Sequence, residues 1–264
     1  MIEPNALSTD EKMRREFNQW AEAGKGEGME HEHISITQQT LAQMGLKPGQ
    51  KVLDLGCGAG WASRLLAKMV GGGERPVSGS PERPFSAHRG EGQVVGLDVS
   101  DEMIRRARAN STEFDNLLFV VGSAQQIPWE ENFFDRVLSV ESFYYYGDQD
   151  RALDELFRVL APKGELYILI NLYKDNHYSL RWVEELKVPV QVRSEEEYIE
   201  LLKDHGYEEV LARRIPDLTP SPDEYSGKWF KNAEELRDFK RIGALLLIAR
   251  KPDVQSPPRG YELS

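Results

Sequence analysis

Lys51-Val52-Leu53-Asp54-Leu55-Gly56-Cys57-Gly58-Ala59-Gly60-Trp61 is the stretch that decides the fold. Its first half is a short apolar run and predicts a strand over 51–55. Its second half predicts a tight turn that opens a helix at about 60–70. Glycine lets a chain turn sharply after a strand and lets a ligand approach the backbone closely. The spacing is G-x-G-x-G, not the G-x-G-x-x-G of dinucleotide folds. A strand-to-helix turn wants glycine for its own sake, so the motif alone leaves a purely structural role open. Asp98 adds a second sign, because an acid at the end of the next strand can accept hydrogen bonds from both hydroxyls of a ribose. It stands 38 residues beyond Gly60, against the usual spacing of about 20. Residues 71–92 hold six glycines, three prolines and three serines, which reads as an inserted surface loop. Without those 22 residues the interval falls to 16. Asp54 suits a buried strand only with partners, such as an amino group or the loop amides.

Working outward, residues 8–23 read as a helix. Ser8 and Glu11 have capping-box spacing, and Met13, Phe17 and Trp20 share one face. Three glycines in 24–33 predict a break, followed by a second helix over 34–46. Downstream, strands are expected at 93–100, 117–124, 134–142, 165–173, 207–216 and 241–251. Helices are expected at 101–110, 151–161, 178–187 and 194–206. This alternation predicts an α/β fold, a mostly parallel seven-stranded sheet with helices on both faces. Its ligand crevice belongs at the C-terminal ends of the strands, where the strand order reverses. The chain divides into an N-terminal helical segment (1–46), a main domain (47–251, carrying the 71–92 loop) and a polar tail (252–264).

The 264 residues carry 33 Lys plus Arg against 44 Asp plus Glu, a net charge of −11. Such a surface repels nucleic-acid backbones and anionic membranes. One cysteine excludes a disulfide framework or a multi-cysteine zinc site. MIEPNALSTDEKMRREF has no apolar core of a secretory signal, and no apolar run approaches 18 residues. A cytoplasmic protein with no membrane span is expected.

These residues resemble the class I S-adenosylmethionine (SAM) methyltransferases, over roughly 45–175. The closest flavour is the small-molecule group of ubiquinone/menaquinone C-methyltransferases and sterol or glycine-type methyltransferases. The resemblance implies a Rossmann-like sheet with its last strand antiparallel, SAM as methyl donor with S-adenosylhomocysteine as product, and no metal. It makes Gly56, Cys57, Gly58 and Gly60 the SAM loop, with Asp54 just before it, and Asp98 the ribose acid. It counts Val99 among the cofactor-binding residues and places Met103 where the family packs an apolar side chain on the adenine. GSAQQIPWEENFFDRVLSVES (122–142) resembles the family's G-D-A-x-x-L-P-F-x-D-x-x-F-D stretch and sets Ser123 and Ala124 beside the adenine. Ser123 replaces the family's usual Asp. Glu141, ending the fourth strand, would line the methionine end. ELFRVLAPKGELYIL (155–169) resembles the helix and turn into the fifth strand.

Methyl transfer from a sulfonium needs alignment and desolvation, with a base only where the acceptor carries a proton. FNQWAEAGKGEGMEHEH (17–33) resembles the N-terminal lid of such enzymes, so Phe17 and Trp20 are candidates to close over the cofactor. His31 and His33 are candidate bases; at i, i+2 they would not share a helix face. Phe143-Tyr144-Tyr145-Tyr146 can form an apolar or cation–π wall at the acceptor, and Glu141 and Tyr144 join His31 as catalytic candidates. Tyr225, Trp229 and Phe230 can complete the pocket. A small-molecule acceptor is favoured by the charge. It is favoured too by Glu141-Ser142-Phe143-Tyr144 standing where base amino-methylating relatives carry Asn/Asp-Pro-Pro-aromatic. Two alternatives stay open: a nicotinamide-dependent oxidoreductase and a non-catalytic SAM-binding module. Oligomeric state is open.

Overall fold

The structure, a computed structural model, describes residues 8–71 and 92–253. Most of the expected 71–92 loop, and the tail beyond 253, lie outside the described residues.

The strands are β1 (Lys51–Leu55), β2 (Gln93–Asp98), β3 (Leu117–Val121), β4 (Phe134–Val140), β5 (Leu160–Ile170), β6 (Glu208–Ile215) and β7 (Ala244–Arg250). The helices are α1 (Thr9–Glu22), α2 (Lys25–Gln43), α3 (Trp61–Val70), α4 (Asp101–Ala109), α5 (Gln149–Val159), α6 (Glu195–Asp204) and α7 (Ala233–Ile242). The sheet order is β3-β2-β1-β4-β5-β7-β6. β1 to β5 are parallel, and β7 lies antiparallel between β5 and β6. This is the expected class I methyltransferase architecture, with the last strand reversed.

Alternation along the strands decides which helix covers which face. Leu53 and Leu55 of β1 pack with the α5 and α6 side chains Leu156 and Leu201, whereas Val52 packs with Leu66 of α3 and Ile36 of α2. Each fully buried Leu contributes about 1.5–3 kcal/mol over an exposed one. Asp54 shares the Val52 face, so its carboxylate meets α3. There Ser63 Oγ donates to Asp54 Oδ2 at 2.5 Å.

The structure corrects four local expectations. The break after α1 is confined to Ala23 and Gly24 (φ 71°), and α2 starts at Lys25, well before the expected 34. Glycine in a helix interior costs about 1 kcal/mol; here packing of Ile36, Leu41 and Met44 offsets it. Residues 178–187 form a 3-10 turn over Ser179–Glu185 instead of an α-helix. β5 begins at Leu160, earlier than expected, because the chain loops outward at Lys163 (φ 63°) between two registers with β4. Finally, α7 occupies 233–242, and the last strand starts only after Gly243. No described helix is long and apolar enough to cross a membrane.

Candidate functional site

The strand order reverses between β1 and β4, and a two-lobed groove opens at their C-terminal ends. The first lobe, about 710 Å³, runs over the ends of β1, β2 and β4; the second, about 440 Å³, lies against the start of α3. Met29, Gly56, Gly58, Met103, Val140 and Glu141 line both lobes and form the waist between them.

Gly56 makes the loop possible. Its φ is 74°, and a Cβ there would lie 2.5 Å from Ser142 Oγ. That hydroxyl is committed to the fold: it donates to the Leu55 carbonyl at 3.0 Å and sits 2.8 Å from Ser139 Oγ and 3.0 Å from Tyr146 Oη. The β1 loop is thereby fastened to the β4 loop. Gly60 works from behind, since its Cβ would strike the Phe119 ring at 2.6 Å.

Asp98 closes β2. Its Oδ2 accepts from the Gly58 N–H at 2.9 Å and its Oδ1 from the Ser100 N–H at 2.8 Å. A carboxylate offers about four lone-pair sites, so acceptor capacity remains at the groove wall. Burial raises its pKa against those hydrogen bonds.

Glu141 is the most unusual residue. It is buried at the waist with φ 52°, a left-handed conformation that costs a side-chain-bearing residue roughly 1–2 kcal/mol and often marks a functional site. The Asn171 N–H donates to Oε1 at 2.6 Å and Tyr144 Oη donates to Oε2 at 3.0 Å. Burial pushes its carboxyl up to about 7 despite those donors. Asp54 is likewise raised to about 7, by burial and by the nearby Asp98 charge, against the Ser63 hydrogen bond.

A methyltransferase-domain family model matches residues 46–208 of this chain. The chain belongs to the class I SAM-dependent methyltransferase family. Over 133 residues it is 31% identical to the ubiquinone/menaquinone biosynthesis C-methyltransferase of Edwardsiella ictaluri, covering 49% of the chain and 46% of that protein. It is 24% identical over 233 residues to a sterol 24-C-methyltransferase of Gibberella zeae, covering 83% of the chain and 53% of that relative. The chain thus spans about half the length of these curated relatives. Among solved structures, the methyltransferase in complex with the Haloferax volcanii Trm112 methyltransferase activator is 31% identical. It superposes with a TM-score of 0.78, over 90% of this chain and 98% of that one. A SAM-dependent methyltransferase from Aquifex aeolicus, 22% identical with a TM-score of 0.55, shares the fold.

The methyltransferase groove fits SAM by its own features: the side-chain-free cradle at Gly56, the acceptor capacity of Asp98, and two further buried acids for a cationic ligand. The expected residues Asp54, Gly56, Cys57, Gly58, Asp98, Val99, Met103, Ser123, Ala124 and Glu141 all line it. Ser123 Oγ also accepts from the Gln125 N–H at 3.1 Å. Cys57 is a buried filler whose thiol burial raises far above its ordinary value.

Other expected site residues lie elsewhere. Gly60 supports the loop without lining the groove. Trp20 packs edge-on against Phe17 and Tyr145, so Phe17 alone reaches the groove from that pair. Tyr144 turns inward and touches Glu141. His31 is exposed on α2 and outside both lobes, whereas His33 lines the second. Tyr225, Trp229 and Phe230 sit in a separate aromatic cluster with Tyr178, Trp182 and Phe239, away from both lobes. Sequence reading missed Met13 and Met29, which reach the groove from α1 and α2, and Asn171, whose backbone holds Glu141. The i, i+4 pairing of Met13 with Phe17 was the available signal for α1; a backbone donor just past the end of β5 left none.

α1 is tied across the first lobe by polar contacts. Asn18 Oδ1 accepts from Ser100 Oγ at 2.6 Å, Arg14 Nε donates to Asp101 at 2.7 Å, and Gln125 Nε2 donates to Asp10 at 2.9 Å.

Proposed function

We propose that this chain methylates a small-molecule acceptor with SAM as the donor, using Glu141 as the base where the acceptor carries a proton. The observation that carries this is Glu141 itself: a strained, buried carboxyl at the waist of the groove, held by Tyr144 and Asn171 and raised to about 7. Such a group exchanges protons near neutral pH. In this reading Asp98 accepts from the ribose hydroxyls. Val99, Met103, Ser123 and Ala124 border the adenine, and Asp54 accepts from the α-ammonium.

SAM supplies a methyl group already activated on a sulfonium, so the protein's work is placement and exclusion of water. Met13 and Phe17 bring apolar surface to the first lobe, and Met29 does so at the waist. Tyr144 and the Asn171 N–H hold the Glu141 carboxylate in one orientation as it takes the acceptor's proton. The α1 contacts narrow access to the groove, which suits a small acceptor better than a polymer. The relatives named for quinone biosynthesis and sterol methylation lie in the same direction.

The test supplies SAM labelled on its methyl group together with small-molecule, protein and nucleic-acid fractions. Label in the small-molecule fraction, lost in Glu141→Gln for acceptors with a hydroxyl or amine, is expected. Label confined to protein or nucleic acid would overturn the proposal.

A second reading concerns a partner. Similarity to the Trm112-bound methyltransferase extends over 90% of this chain, whereas the quinone-methyltransferase match covers about half. An activator protein of that kind would bind this chain too. Co-expression with the Haloferax volcanii activator, followed by size-exclusion chromatography, is expected to give a one-to-one complex. Separate elution would refute this reading.

A further inference from the structure

The left-handed backbone at Glu141 needs something to hold it, because a residue with a side chain keeps such a conformation only where its surroundings over-determine it. On the strand side, the Glu141 N–H donates to the Leu169 carbonyl at 2.8 Å. On the other side the chain passes at once into Ser142 and a short 3-10 turn, Phe143–Tyr145. The Tyr145 N–H donates to the Ser142 carbonyl at 3.0 Å and the Tyr146 N–H to the Phe143 carbonyl at 3.2 Å. Tyr146 therefore ends the turn, and its hydroxyl returns to within 3.0 Å of Ser142 Oγ, where the turn began.

The hydroxyl protons fit one arrangement. Ser142 has a single proton, and it goes to the Leu55 carbonyl at 3.0 Å. Its lone pairs are left to accept from Ser139 Oγ at 2.8 Å and from Tyr146 Oη at 3.0 Å. Burial pushes the Tyr146 phenol far above its ordinary value, so it keeps its proton and donates. Ser139, Ser142 and Tyr146 are all buried, which strengthens each of these bonds. Leu55 ends β1, so the end of that strand fixes residue 142, and residue 142 fixes the backbone of the acid beside it. The two tyrosines act differently: Tyr144 touches the carboxyl itself, whereas Tyr146 touches the residue that follows it.

We propose that Tyr146 is a positioning residue for Glu141: through Ser142, its hydroxyl locks the left-handed turn that keeps the carboxyl at the waist of the groove. This rests on the reading of Glu141 as the base. With the lock open, residue 141 relaxes to an ordinary backbone. Its carboxyl then leaves Tyr144 and the Asn171 N–H for wetter surroundings. The titratable groups that act on Glu141 are Tyr144 and Tyr145 of its own turn and Glu32 of α2; loss of the Tyr146 hydroxyl alters none of them directly.

The experiment is a pH titration of the full chain carrying carbon-13 at its glutamate carboxyls, read by NMR, with Glu141→Gln assigning the Glu141 signal. In the wild type that signal is expected to titrate at about 7. In Tyr146→Phe its midpoint should fall toward the ordinary 4.5, at least about a tenfold loss of proton affinity. Tyr144→Phe should move it upward instead, since it removes a donor to the charged form and leaves the turn locked. Tyr207→Phe removes a buried hydroxyl that contacts the Leu153 carbonyl, and should leave the proton affinity within about twofold. Should Tyr146→Phe fold poorly, Ser142→Ala, which removes the hydroxyl that Tyr146 holds, is expected to give the same fall. An unchanged midpoint in Tyr146→Phe and Ser142→Ala would overturn the proposal. So would an equal fall in Tyr207→Phe, which marks general loosening. A wild-type signal already titrating near 4.5 would instead remove the base reading itself, and the wild type alone tells that result apart.

Discussion

Replacing Glu141 by Gln should stabilise the protein at alkaline pH and do little in acid. The carboxyl moves from an ordinary 4.5 in the unfolded chain to about 7 in the folded one. Between those values the folded state holds a proton that the unfolded state has lost. Stability therefore falls as pH rises through this window. At about 1.4 kcal/mol per tenfold in proton affinity, the full effect is about 3 kcal/mol by pH 8 and under about 1 kcal/mol at pH 5. Glutamine keeps an oxygen for the Asn171 N–H and an amide for Tyr144, so it removes the charge without emptying the site. For a chain of this size, about 3 kcal/mol corresponds to roughly 6–12 °C in Tm. Thermal unfolding of both proteins from pH 5 to pH 8 measures it. The variant should unfold at higher temperature at pH 8, with the two curves converging toward pH 5. Equal Tm values at pH 8, or a gap that widens in acid, would refute the argument from burial.

Two further outcomes test the groove. Gly56→Ala combines a left-handed φ of 74° with a Cβ 2.5 Å from Ser142 Oγ. It should cost about 2–5 kcal/mol from backbone strain and overpacking together; a urea midpoint within error of wild type would contradict the crowding. Asp98→Ala should weaken SAM by about 1–3 kcal/mol in titration calorimetry, because the ribose hydroxyls and the Gly58 N–H both lose their acceptor; an unchanged affinity would remove Asp98 from the site.

Much of this molecule is legible because its signals are local. The β1–glycine–α3 unit follows from an apolar run, three spaced glycines and an amphipathic helix, all within 20 residues. Asp98 follows once the loop is taken out of the count. The helix over 233–242 escaped because Arg241 and Ile242 read as the start of the final apolar strand, although Gly243 ends the helix first. The glycines of 24–33 predict a break through the whole stretch when only intrinsic propensity is weighed, whereas the chain turns only at Ala23 and Gly24. Burial of the α2 face that follows them outweighs that penalty.

The histidines show where sequence stops. His31 and His33 lie about 200° apart around an α-helix, so the sequence could say that they do not share a face. It could not say which one looks inward. That was decided by how α2 lies against α3 and β6, which leaves His31 exposed and His33 in the groove. The same holds for Glu141. Sequence placed an acid at the end of the fourth strand, but its strained backbone, its two donors and its proton affinity come from Tyr144 and Asn171 converging in space. Local pattern determined the sheet, the glycine loop and the family. Tertiary packing alone decided which side chains lost their water, and with it their charge state and their chemistry.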